Sequence, residues 1–146
     1  MSGALELADS VRTDGAVRQH GDWPSAVVHE ADIAAVALIA LTEDGHAGKT
    51  YPITGPEALT PAERTRLIGR AIGREITFDQ LTEDQERDRL RSYGYDEDYV
   101  EFGIQLAANP PPEAAVVHPT VERVTGQPAR TFAQWAAEHA DAFRGA

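Results

Sequence analysis

Two residues able to handle a proton, His29 and Asp32, stand three apart in the stretch VVHEADIAAVALIAL, Val27 to Leu41. Histidine titrates near neutrality, and a carboxylate one helical turn further on can bias its charge. The apolar residues before the pair read as a buried strand and those after it as a helix. In open α/β sheets, ligands bind where a strand ends and a helix begins. The same placement has a plain structural use: Asp32 suits the positive end of a helix, and His29 can satisfy a backbone group there. Both readings stand open on these residues alone.

A second group is aromatic. Tyr93, Tyr95, Tyr99 and Phe102 lie close together in the chain, and Trp23 lies in an early loop. Together they could line an apolar substrate pocket with phenolic hydrogen-bonding tips. Tyr99 and Phe102, three apart, equally suit packing of one helix onto the body. Tyr95, in the turn YGYDED, is the better pocket residue and the expected accessory donor to a catalytic His29.

Other chemistries are excluded. There is no cysteine, which removes disulfides and thiolate catalysis together. The histidines at 20, 29, 46, 118 and 139 lack metal-ligand spacing, so no metal is expected. No Gly-x-Ser-x-Gly elbow occurs, and GHAGKT lacks the leading glycine of a phosphate loop. A net charge of −11 with a single lysine, Lys49, repels a phosphate backbone, so nucleic acid is not an expected partner. The acidic run from Glu83 to Glu101 reads as a solvated face. No run reaches the ~20 apolar residues of a membrane span, and the first residues do not form a signal peptide. The implied setting is the cytoplasm.

At 146 residues the chain is one domain's worth, within the usual range of about 100–150. A first helix ends near Gly15. Extended pieces follow on either side of the Gly21–Pro24 turn, then the helix from Glu30 to about Glu43 and a short strand YPITG. Thr60 with Glu63, Thr82 with Gln85, and Thr131 with Gln134 have capping-box spacing and open three more helices, Pro61 holding the favoured first position of one. EITFDQL alternates like a half-exposed strand. The helix opened at Thr131 is expected to run to 143, and further helices are expected over 96–108 and in HPTVERVTG. The order indicates an α/β fold with a helical cap. One element fits it poorly: the helix within 32–41 is apolar all round and needs cover on every side.

The stretch from VVHEADIAAVALIAL through TYPITGPEALTPAERTRLIGRAIGREITF resembles the C-terminal half of NmrA-like, NAD(P)H-binding atypical short-chain dehydrogenases/reductases. The matches are His29, Asp32, Ile33 and Ala34; then Tyr51, Thr54 and Gly55; then Gly73 and Arg74; and the tail VERVTGQPARTFAQWAAEHADAF. This implies a partial Rossmann-like fold with short parallel strands, residues 1–58 being a remnant of the doubly wound sheet and 59–146 a substrate-side subdomain. It also implies hydride transfer from NAD(P)H to a small organic substrate. The Gly-x-x-Gly-x-x-Gly loop of that family is missing, and so is the Tyr-x-x-x-Lys pair of the usual short-chain dehydrogenase proton relay. The isolated chain is therefore expected to hold no cofactor, NAD(P)H entering only with an N-terminal-half partner. Self-association into a homo-oligomer is the other way to cover the apolar helix. Two alternatives remain: a stand-alone cofactor-free cyclase or isomerase using His29 and a tyrosine, and a non-catalytic binding module.

Overall fold

The structure, a computed structural model, describes residues 1–144. A 3₁₀ segment, Ser2–Leu7, runs into helix α1, Ala8–Asp14, which Gly15 ends at φ 67°. Strand β1, Ala16–Gln19, follows at once. Helix α2 spans Glu30–Thr42 and α3 Pro61–Ile72; strand β2 spans Thr77–Gln80. Then come α4, Glu83–Ser92, and α5, Glu97–Ala108, a 3₁₀ turn at Pro112–Ala115, and α6, Thr120–Thr125. Helices α7, Phe132–Glu138, and α8, Ala140–Phe143, complete the described residues.

All three capping boxes form, so the Thr60, Thr82 and Thr131 hydroxyls each accept from the backbone N–H three residues on. These reciprocal bonds fix where α3, α4 and α7 start. The expected last helix is broken at His139. There the ψ of 13° departs from the helix, and the ring Nδ1–H donates to the Trp135 carbonyl at 2.9 Å.

The sheet is α/β and parallel, as expected, but narrower. β1 and β2 pair in register from Ala16 with Thr77 to Gln19 with Gln80, and they are its two strands. The expected strands at 25–29 and 51–55 do not join a ladder. Ala26 instead spreads single bonds over two segments: its N–H donates to Ala114 at 2.7 Å, and its carbonyl accepts from Gly55 at 3.1 Å. Ser25 and Leu59 make one isolated antiparallel bridge. A strand needs a continuous partner, and here three segments share that role.

The core is built around Trp135, which is fully buried with Phe132, Phe143, Ile68, Val11 and Val17. Phe143 meets the indole edge-on at 6.1 Å between centroids, and Phe132 lies at 5.4 Å. Helix α3 packs against α7 and α8, and α1 closes on α8. Helix α2 rests on α6 and turns Val36 and Asp32 inward. Its outer side stays uncovered: Ile33, Leu38 and Leu41 are 44%, 62% and 85% exposed. Among the described residues no helix is long and apolar enough to cross a membrane.

The Thr54–Gly55 pair has a packing explanation. The Thr54 hydroxyl accepts from the His118 N–H at 2.8 Å, and Gly55 lies buried where a methyl group would overlap the Val27 carbonyl oxygen. Both neighbours are backbone and cannot swing aside. Gly55→Ala is expected to destabilise the protein by about 3 kcal/mol through overpacking. Gly73→Ala, at φ 69° in open space, should cost only about 1 kcal/mol. Urea unfolding of both variants checks the order; equal losses would contradict the close-approach argument.

Candidate functional site

Residues His29, Glu30 and Asp32 form the first turn of α2, and each reaches into the segment 130–139. His29 is the N-cap: its Nδ1 accepts from the Ala31 N–H at 3.1 Å, which leaves the proton on Nε2. That Nε2–H donates to Glu138 Oε2 at 3.2 Å. The residue is 3% exposed, and both ring nitrogens are engaged. Asp32, 1% exposed, accepts from the Arg130 backbone N–H at 2.7 Å through Oδ2 and from the Arg130 guanidinium through Oδ1. Glu30 Oε1 accepts from the Trp135 indole N–H at 3.1 Å, with the stacked His139 ring close by.

The structure therefore brings His29 and Asp32 together in sequence but sends their side chains to different partners. No side-chain hydrogen bond joins them among the described residues. Their geometry is that of a clamp between α2 and α7. Burial pushes the Glu30 carboxyl up, but the hydrogen bonds from its own backbone and from Trp135 outweigh this, and its pKa lies below the ordinary carboxylate value.

A substrate-sized cavity lies elsewhere, beside Arg18 and Gln19 of β1. It is a cleft of about 930 Å³, in the range of small-molecule sites. Leu7, Val27 and Phe132 supply apolar wall, and Arg18, Arg64, Arg89, Tyr93 and Tyr95 supply polar tips. Two of the expected substrate residues are thus here. Tyr93 sits beneath the Arg89 guanidinium at 5.4 Å, and Tyr95, 42% exposed, stacks on Tyr99 at 4.2 Å. Tyr99 backs Tyr95 without lining the cleft. Phe102 is 62% exposed and lies outside it. Trp23 borders a smaller cavity of about 190 Å³ with His20 and Leu106.

The arginines of the cleft were missed from sequence. Arg18 is held by Asp14 at 2.5 Å and Arg89 by Glu86 at 2.6 Å. Arg64 differs: among the described residues its guanidinium makes one hydrogen bond, from Nη1 to the Ser25 hydroxyl at 2.8 Å. Burial pushes its guanidinium below the usual value, with the Asp22 charge partly opposing. A signal did exist, because Arg64 stands in the first turn of α3, where the helix dipole disfavours a cation.

No protein-family model matches the chain. Curated relatives do. One is the (4-alkanoyl-5-oxo-2,5-dihydrofuran-3-yl)methyl phosphate reductase of Streptomyces griseus, 43% identical over 98% of this chain and 51% of its own. Another is the NAD(P)H azoreductase of Xenophilus azovorans, 38% identical with the same coverage. Both of these relatives are reductases. The fold agrees: the NADPH-dependent quinone oxidoreductase of Escherichia coli, solved with NADPH, superposes with a TM-score of 0.79 at 23% identity, over 94% of this chain and 49% of that one. The chain spans about half the length of the curated relatives it matches.

These matches overturn the expectation of a cofactor-free chain. That expectation rested on the missing glycine loop, whereas one of these relatives is named an NAD(P)H azoreductase and one structural neighbour was solved with NADPH. The loop's absence describes the residues at hand: β1 leads into α2 and β2 into α4 without a glycine-rich turn at either helix start. The described residues thus offer a substrate-sized cleft and no pyrophosphate turn.

The clamp has a pH signature. Because the folded pKa of Glu30 is depressed, its contribution is present above the unfolded value and is lost as pH falls through the folded one. Urea unfolding between pH 6 and pH 3 should show a shallower loss of stability for Glu30→Gln than for the parent; identical slopes would contradict the assignment.

Proposed function

We propose that the chain forms the substrate side of an NAD(P)H-dependent reductase acting on a small organic electron acceptor. The observation that carries this is the cleft: about 930 Å³, walled by Leu7, Val27 and Phe132, and tipped by Tyr95, in a chain whose relatives are reductases. NAD(P)H, when bound, supplies a hydride. Further polypeptide supplies the nucleotide-binding half, and the exposed Ile33, Leu38 and Leu41 of α2 form the face it covers.

This chain's own part is to hold the acceptor and the proton. The apolar wall strips water from the substrate body, which strengthens the polar contacts made at the reacting end. Tyr95 is the catalytic residue we assign: its hydroxyl donates a hydrogen bond, and then the proton, to the oxygen or nitrogen that becomes electron-rich on reduction. The stack with Tyr99 fixes the ring. His29 and Asp32 act as positioning residues, since the clamp holds the segment carrying Phe132 against Val27.

The test is NAD(P)H oxidation at 340 nm by the protein as the cell makes it, with a quinone or an azo dye as acceptor. Acceptor-dependent oxidation is expected, and Tyr95→Phe should slow turnover on the order of 100-fold with little change in unfolding midpoint. Absence of oxidation with either class of acceptor would overturn the reading; full activity in Tyr95→Phe would remove the tyrosine from it.

A further inference from the structure

We infer that Arg64 is an oxyanion anchor, so that the cleft takes substrates bearing a phosphate or carboxylate group on an apolar body. This rests on the reading of the cleft as the substrate site. An arginine in this position is held against three costs. It is partly buried, it stands in the first turn of α3, and no carboxylate lies within salt-bridge distance among the described residues.

The other two cleft arginines are neutralised by neighbours, Arg18 by Asp14 and Asp79 and Arg89 by Glu86. Arg64 is not, although the chain carries a net charge of −11 and acidic partners are plentiful. Among the described residues the acidic groups that line the cleft are Glu6 and Asp9, and Asp9 is taken by Arg12. Asp22, the nearest acidic influence on Arg64, spends its Oδ1 on the Ala62 N–H at 3.0 Å.

A guanidinium has five donors in a planar fork. Nη1 uses one on Ser25, and Nε and Nη2 have no protein partner among the described residues. The fork suits two oxygens of one anion, bound side by side. The apolar wall of Leu7, Val27 and Phe132 then receives the rest of the molecule. The cation is thus preorganised and undersatisfied where a ligand can reach it.

Titration of the protein with hexyl phosphate, hexanoate and 1-hexanol, followed by calorimetry, tests this. At least one anion is expected to bind tenfold or more tighter than the alcohol; phosphate above carboxylate identifies a phosphate head, and the reverse identifies a carboxylate. Arg64→Gln should erase the preference without lowering the unfolding midpoint, whereas Arg66→Gln, on the exposed side of the same helix, should keep it. Should Arg64→Gln fail to fold, Arg64→Lys serves: it retains charge without the fork and is expected to weaken the preference severalfold. Equal binding of alcohol and anions, or a preference unchanged in the folded Arg64 variant, overturns the proposal. Reduction of an uncharged quinone by the parent protein reports separately on the reductase reading, so loss of one result leaves the other standing.

Discussion

The fold hangs on a clamp between the first turn of α2 and the segment 130–139. Three successive contacts make it: Asp32 with Arg130, Glu30 with the Trp135 indole, and His29 with Glu138. Each joins a polar group to a partner that would otherwise be buried without one, and an unpaired buried polar group costs about 1–3 kcal/mol. The indole whose N–H is satisfied by Glu30 is also the centre of the core. The clamp thus decides both where α2 points and whether Trp135 can lie in an apolar interior.

The cleft follows from the same arrangement. Phe132 begins α7, and Val27 lies two residues before His29 of the clamp, so fixing α2 on α7 sets these two walls against each other. The opposite side comes from a different source, the turn between α4 and α5 that carries Tyr93 and Tyr95. One rigid wall and one turn-borne wall are a common division of labour in ligand sites, because loops supply contacts that a scaffold then positions.

Local signals were legible in the sequence and long-range ones were not. Thr60, Thr82 and Thr131 announced three helix starts correctly, since a capping box is decided within four residues. Gly15 and Gly73 marked helix ends for the same reason. The strands expected at 25–29 and 51–55 do not form, because whether such a segment becomes sheet depends on a partner elsewhere. His29 showed its place at a helix start, yet its destination, Glu138, lies 109 residues away. Tyr93 and Tyr95 were found as pocket residues because aromatics in a turn are seldom core. Arg64 escaped notice because an arginine on an amphipathic helix looks ordinary until its missing partner is seen.

The spacing of the clamp has a consequence for how the chain acquires its structure. Its contacts join residues 98 to 109 positions apart, and the parallel strands join residues 16–19 to 77–80. Contacts at such separation arise slowly, because chain entropy must be surrendered before they are rewarded. During synthesis, α2 leaves the ribosome with an apolar surface and a histidine, a glutamate and an aspartate awaiting partners. Those partners are made 98 to 109 residues later. Until α7 emerges, the nascent chain exposes one of its most apolar helices, and that interval is when it most needs a chaperone or a companion polypeptide.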